Sequence, residues 1–153
     1  MERSTDRHIL VVDDDESVRT ALSTTLSSAG YKVSSASTGI DGLMTVESGR
    51  VDLVLLDFNM PGLSGLDVLK TLRQKHSKLA LPVILVTGRS DDADVLDALR
   101  SGANDYVTKP AVPLILLARI ATHLSMKVEN DTFRSAGDTS VDVDKLGVGV
   151  ILA

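Results

Sequence analysis

The sequence predicts an open α/β fold in which five parallel strands alternate with five helices. Five short apolar runs are each followed by a segment whose apolar residues recur at helical spacing. The runs are apolar at nearly every position, which is typical of parallel strands covered by helices on both faces. A closed barrel would need eight such units. Right-handed crossovers then leave an open, doubly wound sheet as the natural arrangement.

The predicted strands are apolar runs bounded by residues that favour turns. The third is β-branched and leucine-rich and leads into a loop that contains Pro61 and Gly62, and the fourth has Pro82 at its entrance. In chain order, we expect the strands over residues 8–12, 32–36, 53–57, 81–87 and 105–108.

The predicted helices carry apolar residues at intervals of three and four, so that one face of each can pack on the sheet. Gly30, Gly49 and Gly102 follow the first, second and fourth helices and are typical of C-terminal helix ends. In chain order, we expect the helices over residues 17–29, 39–48, 64–75, 91–101 and 112–127.

The composition argues against several functions. The chain has no cysteine, which excludes disulfides, thiol catalysis and cysteine-ligated zinc. A net charge of −5 argues against a broad nucleic-acid footprint, and no basic face or helix-turn-helix pattern follows the predicted sheet. The first apolar run, residues 9–12, is too short for a signal peptide or a membrane span. We therefore expect a cytoplasmic protein with no direct contact to membrane or nucleic acid.

The pattern divides the chain into one domain over residues 7–128 and a tail over residues 129–153. The tail begins as a polar, linker-like stretch up to residue 140. Residues 141–153 are apolar again, with valines and leucines alternating with glycines. This segment could be an added strand, the truncated start of an output domain, or a disordered end.

Acidic residues follow two of the predicted strands. Asp13, Asp14 and Asp15 come directly after the first strand, and Asp57 ends the third. The carboxyl ends of parallel strands share one edge, where open α/β sheets place their reactive groups. Crowded carboxylates repel one another unless a proton remains or a cation such as Mg²⁺ neutralises them. Asp15 is predicted to cap the next helix, and helix or loop capping is the alternative role for the other three.

Two more polar residues reach the same edge. Thr87 ends the fourth strand, and Lys109 follows the fifth, where Pro110 makes a cis peptide bond possible. Each is weak evidence alone, because strand-end threonines and solvated lysines are common. Together with the acids, they suit a phosphoryl group on Asp57: a carboxylate nucleophile, with Mg²⁺, a hydroxyl and an ammonium to stabilise charge on the transferring oxygens.

With these segments in place, the sequence resembles the receiver domain of the two-component response regulators, over roughly residues 7–128. The resemblance implies a flavodoxin-like (βα)5 fold with strand order 2-1-3-4-5. It also implies a signalling domain that catalyses only its own phosphorylation and dephosphorylation. The matching stretches are Ile9-Leu10-Val11-Val12-Asp13-Asp14-Asp15, Leu55-Leu56-Asp57-Phe58-Asn59-Met60-Pro61-Gly62, Val86-Thr87-Gly88 and Gly102-Ala103-Asn104-Asp105-Tyr106-Val107-Thr108-Lys109-Pro110.

By this resemblance, Asp57 accepts a phosphoryl group from the phosphohistidine of a sensor histidine kinase or a phosphotransfer protein. Asp14, Asp57 and the backbone carbonyl of Asn59 would hold Mg²⁺, and Asp13 would act mostly through water. The domain would therefore be phosphorylated only in the presence of the metal.

The resemblance also implies a switch. Thr87 and Lys109 would contact the phosphoryl oxygens, and Tyr106 would turn inward as Thr87 moves toward the phosphate. The alternative for Tyr106 is a half-buried edge aromatic. The face made by the fourth helix, fifth strand and fifth helix would then bind an output domain, a downstream protein or a second copy of the chain.

Three positions bear on how this chain differs from its relatives. Ala111 stands where many of them carry a large apolar residue, so we expect the last loop and helix to dock less firmly. Arg89 and Asn59 lie at positions that tune the lifetime of the phosphoryl group.

Two other functions would use some of the same strand-end residues. A degenerate receiver would serve only as a protein-interaction module, although the complete set of site residues argues against it. A phosphatase of the haloacid dehalogenase type also uses a strand-end Asp and Mg²⁺. That class pairs its Asp with a second acid two residues on, where this chain has Asn59.

Overall fold

Strands and helices alternate along the part of the chain that the computed structural model describes, residues 6–88 and 92–128. The strands are His8–Val12 (β1), Lys32–Ala36 (β2), Leu53–Leu56 (β3), Val83–Thr87 (β4) and Asp105–Thr108 (β5). The helices are Glu16–Ser28 (α1), Gly39–Ser48 (α2), Gly65–Arg73 (α3), Asp92–Arg100 (α4) and Pro113–Ser125 (α5). The strands pair in parallel in the order β2-β1-β3-β4-β5. The predicted doubly wound fold and its strand order are therefore confirmed.

Several predicted boundaries shift by one or two residues for local chemical reasons. β3 ends at Leu56, although the Asp57 N–H still donates to the Val12 carbonyl at 2.9 Å before the chain turns into a loop. β4 begins at Val83, because Pro82 has no N–H to donate to a neighbouring strand. α5 begins at Pro113, whose missing N–H suits the first turn of a helix. The predicted helix start at residue 91 and the tail over residues 129–153 lie outside the described residues.

Both faces of the sheet are covered by helices. Along β1, Leu10 and Val12 pack in a cluster with residues of α2, α3 and α4, whereas Ile9 and Val11 pack with α1 and α5. All four side chains are at most 1 % exposed. Burial of each stabilises the fold by roughly 1.5–3 kcal/mol. None of the described helices is long and apolar enough to cross a membrane.

The start of α3 fixes the loop that follows β3. Ser64 and Asp67 form a capping box, in which each side chain accepts a hydrogen bond from the backbone N–H of the other. The Gly65 N–H donates to the Phe58 carbonyl at 3.0 Å. A Cβ at Gly65 would lie 2.7 Å from Phe58 Cα and even closer to the Asp57 carbonyl oxygen, so only glycine permits this approach. The helix start therefore holds the backbone of Asp57 in place.

The Gly65→Ala variant should be destabilised, because the added methyl group must push the backbone of residues 57 and 58 aside. We expect the free energy of unfolding to fall by about 1–3 kcal/mol, the usual cost of overpacking. Urea denaturation followed by circular dichroism measures this loss. Gly49→Ala is the matched control, since its added Cβ would meet its nearest atom at an ordinary 3.4 Å. Equal stability of the two variants would contradict the close approach.

Candidate functional site

Two buried aspartates lie at the carboxyl edge of the sheet. Asp13 follows β1 and Asp57 follows β3, and they are 1 % and 4 % exposed. Asp14, beside Asp13 in the chain, is exposed. One carboxylate oxygen from each of the three residues lies within 4.8 Å of the others. The structure therefore brings together the acidic residues that the sequence placed at this edge.

Lys109 faces these acids from the end of β5. Its Nζ lies 2.8 Å from Asp13 Oδ2 and 3.4 Å from Asp57 Oδ1. Its backbone N–H donates to the Thr87 carbonyl at 2.8 Å, and the peptide bond to Pro110 is cis. Burial disfavours the charged form of Lys109, but the two carboxylates outweigh burial and raise the pKa of its ammonium above the usual value. Lys109 is thus held as a cation between the two buried acids.

The carboxyl group of Asp57 resists ionisation. Its pKa is raised to about 6, first by burial and then by the negative charge of Asp13. Lys109 and the backbone N–H of Asn59 lower the pKa but do not cancel these effects. A further positive charge beside Asp57 would therefore favour its ionised form.

Each polar atom of Asp13 has a defined neighbour. Its N–H donates to the Ala36 carbonyl at 3.1 Å, and its carbonyl accepts from Arg19 Nη1 at 2.8 Å. Its Oδ1 accepts from the Asp15 N–H at 2.9 Å. Its buried Oδ2 forms the ion pair with Lys109, at 2.8 Å from Nζ. Asp13 is therefore held in place by its backbone and by both of its carboxylate oxygens.

Asp15 caps α1, as the sequence predicts. Its Oδ1 accepts from the Ser17 hydroxyl at 2.7 Å and from the Ser17 N–H at 2.9 Å, and these bonds lower the pKa of Asp15. Arg19, on the next turn, is a residue that the sequence predictions missed. A signal was present, because a lone cation near the N-terminal end of a helix opposes the helix dipole unless it has a partner there.

Thr87 and Asn59 also lie at the carboxyl edge of the sheet, whereas Tyr106 lies within β5, an outer strand. Thr87, at the end of β4, is buried, and Asn59 is exposed on the loop after β3. Tyr106 is 37 % exposed and lines a cavity of about 310 Å³ together with Ile115 of α5. The structure thus places Tyr106 at the exposed edge of the sheet. Arg89 lies outside the described residues.

The acidic cluster suits a hard divalent cation. Three carboxylates converge within 4.8 Å, and only one ammonium among the described residues pairs with them. The pKa of Asp57, raised by burial and by the negative charge of Asp13, indicates that a further cation would stabilise its ionised form. Oxygen ligands of this kind are those that Mg²⁺ prefers.

The fold and this site define a class: doubly wound α/β domains of the flavodoxin type whose strand ends carry a polar site. A family model described as the response regulator receiver domain matches residues 9–121, and the chain belongs to this family. Receiver domains are signalling domains of two-component systems. The resemblance carried by the strand-end motifs is therefore confirmed.

The most similar proteins compared include two longer regulators. The chain is 39 % identical over 142 residues to the transcriptional regulatory protein AfsQ1 of Streptomyces coelicolor, covering 93 % of this chain and 61 % of AfsQ1. It is 38 % identical over 138 residues to the DNA-binding response regulator MtrA of Mycolicibacterium smegmatis, covering 90 % of this chain and 59 % of MtrA. The chain thus spans about 60 % of the length of these relatives.

A solved structure agrees with the fold. The BeF3-activated receiver domain of DrrB is 36 % identical and superposes with a TM-score of 0.70, covering 78 % of this chain and 97 % of that domain. The relatives' names do not support the prediction that no nucleic acid is bound, since MtrA is a DNA-binding regulator. That name describes a protein longer than this chain.

Asp57 should make the stability of the chain depend on pH. Its pKa is about 6 when folded and 3.8 in its reference state, so between these values the folded chain binds more protons at this carboxyl. The free energy of unfolding therefore falls as pH rises through that window. Without divalent cations, we expect Asp57→Asn to be more stable than wild type above pH 6, on the order of 2 kcal/mol, and equally stable near pH 4.

Urea denaturation across this pH range measures the difference. Asp97→Asn, which removes an exposed carboxylate on α4, is the matched control and should stay within about 0.5 kcal/mol of wild type. A stability difference between wild type and Asp57→Asn that does not change with pH would contradict the raised pKa.

Proposed function

We propose that the chain is a phosphorylation-dependent switch in which Asp57 accepts a phosphoryl group from the phosphohistidine of a sensor histidine kinase or a phosphotransfer protein. The observation that carries this proposal is the pairing of one half-buried Lys109 ammonium with two buried carboxylates, beside a third carboxylate that is exposed. A carboxylate can act as a nucleophile toward an activated phosphoryl donor.

Asp14, Asp57 and the Asn59 carbonyl would hold Mg²⁺. Asp13 would act mostly through water, because its Oδ1 already accepts from the Asp15 N–H and its Oδ2 pairs with Lys109. Bound there, Mg²⁺ neutralises charge on the transferring phosphoryl oxygens. The three carboxylates within 4.8 Å of one another support this assignment.

The chemical step is an exchange of bonds at phosphorus. An Asp57 carboxylate oxygen attacks, the new P–O bond forms, and the P–N bond to the donor histidine breaks with its electron pair remaining on the imidazole nitrogen. Asp57 must be ionised to attack, so the positive charges beside it oppose the burial that raises its pKa to about 6. The Lys109 ammonium and the Thr87 hydroxyl would stabilise the phosphoryl oxygens.

The response would spread from this edge to the face formed by α4, β5 and α5. The added phosphoryl charge would draw Thr87 and Lys109 toward it, and Tyr106 would turn inward, favouring a conformation already present in the ensemble. That face would bind an output domain, a downstream protein or a second copy of the chain. Activation of the related DrrB receiver by BeF3 supports a common mechanism. By analogy with MtrA, the output of a longer protein would be DNA binding.

Phosphorylation itself is the direct test. Incubation with acetyl phosphate and Mg²⁺ should add one phosphoryl group to wild type, detected by intact-protein mass spectrometry, and none to Asp57→Asn. Chelation of Mg²⁺ should abolish the modification. Asp97→Asn is the matched control, because it removes an exposed carboxylate of α4 that lies outside the acidic cluster, and it should be modified like wild type.

The same experiment distinguishes the two alternative functions from the proposed one. An unmodified wild type without affinity for Mg²⁺ would show a degenerate receiver that only binds proteins. Steady turnover of a small phosphate ester, lost in Asp57→Asn, would instead indicate a phosphatase of the haloacid dehalogenase type.

Lys109 should couple the phosphoryl group to the switch. In wild type, BeF3 with Mg²⁺ should shift the amide NMR signals of both the Asp57 loop and the α4-β5-α5 face. In Lys109→Ala, we expect shifts near Asp57 but a loss of most of the response on the distant face. Lys75→Ala, which removes an exposed ammonium paired with Glu47 across α2 and α3, is the control. A full response in Lys109→Ala would refute the coupling role.

A further inference from the structure

Arg19 holds the peptide group that joins Asp13 to Asp14. Its Nη1 donates to the Asp13 carbonyl at 2.8 Å, from the first turns of α1. Hydrogen bonds from a charged donor are shorter and stronger than neutral ones and fix the direction of the acceptor. Because the Asp13 N–H is already held by the Ala36 carbonyl of β2, the backbone is fixed on both sides of this residue.

Asp14 depends on that peptide group for its position. Its side chain is exposed, and no group among the described residues hydrogen-bonds to its carboxylate. Asp13 and Asp57, by contrast, are held by Lys109 and by backbone N–H groups. The orientation of the Asp14 carboxylate toward the cluster is therefore set by its own backbone, whose preceding peptide group Arg19 holds.

We propose that Arg19 is a positioning residue for the cation site: it fixes the Asp13–Asp14 peptide so that the Asp14 carboxylate is aimed at a metal shared with Asp57. This inference rests on the proposed function, because it requires Mg²⁺ to bind at these carboxylates. Arg19 would act through the Asp13–Asp14 peptide group and would not itself be a ligand of the metal.

Arg19 has two effects on a cation, and they are opposite in sign. Its positive charge repels Mg²⁺, so removal of the charge alone would tighten binding. Its hydrogen bond orients a ligand, and loss of such outer contacts typically weakens metal affinity by about 10–100-fold. The hydrogen bond to the Asp13 carbonyl leaves the charge of the guanidinium in place, so the proposal requires the positioning effect to exceed this repulsion.

The test is a Mg²⁺ titration of the full, unphosphorylated chain by isothermal titration calorimetry. We expect Arg19→Met to bind Mg²⁺ at least about 10-fold more weakly than wild type. Arg19→Lys keeps one charged donor and should recover part of the affinity. Lys32→Met is the matched control, because it removes an exposed cation at the start of β2, on the opposite edge of the sheet, and should change affinity less than about twofold.

Unchanged or tighter Mg²⁺ binding in Arg19→Met would overturn the positioning role. Absence of Mg²⁺ binding in wild type would instead sink the proposed function from which the role follows. Urea denaturation without Mg²⁺ confirms that each variant is folded, and Arg19→Gln carries the same test if Arg19→Met does not fold. A purely structural role would lower the unfolding midpoint and leave the Mg²⁺ affinity of the folded chain unchanged.

Discussion

The ion pairs of Lys109 with Asp13 and Asp57 are the interactions on which the rest of the site depends. The two carboxylates are 1 % and 4 % exposed, and their nearest oxygens lie within 4.8 Å of each other. At an effective dielectric of about 20, such a pair repels by about 3–4 kcal/mol, in addition to the cost of burying each charge. Lys109, which follows β5, two strands away from β3, supplies the single ammonium that offsets part of this cost.

Lys109 compensates only part of the negative charge of the carboxylates, and the remaining charge favours a bound cation. Three carboxylates face one ammonium. Burial first, and then the negative charge of Asp13, raise the pKa of Asp57 to about 6 despite the nearby Lys109. An apolar or fully neutralised site would be more stable but would have no affinity for a divalent cation. Asp57 is buried by the core around β3 and by the close approach of Gly65. The same burial favours a cation beside the Asp57 carboxylate. The buried carboxylates thus lower the stability of the fold at the position where the proposed phosphoryl transfer would take place.

Sequence patterns predicted the fold and which polar side chains reach the carboxyl edge of the sheet, whereas the roles of those side chains stay a prediction. Parallel strands bring their carboxyl ends to one edge, so Asp13, Asp57, Thr87 and Lys109 could be grouped without coordinates. Arg19 could not be found in this way. Its function depends on how far a long side chain reaches back from a helix to a particular carbonyl, and residue spacing does not encode that. Likewise, the sequence pattern does not distinguish Gly65 from a glycine that merely ends a helix. Glycine is required at position 65 because the backbone of Asp57 and Phe58 lies against it.

The residues that follow α5 are bound back to the amino-terminal edge of the sheet. After α5, Lys127 pairs with Asp52 at 3.6 Å and the Val128 N–H donates to the Leu79 carbonyl at 2.9 Å. Asp52 precedes β3 and Asp57 follows it, so these two residues are roughly 16 Å apart. Packed elements of the domain therefore separate Asp57 from Val128. Ala111, just before α5, lines a cavity of about 520 Å³ together with residues of α1. A small side chain leaves this space unfilled, and the looser docking of α5 expected from it stays a prediction.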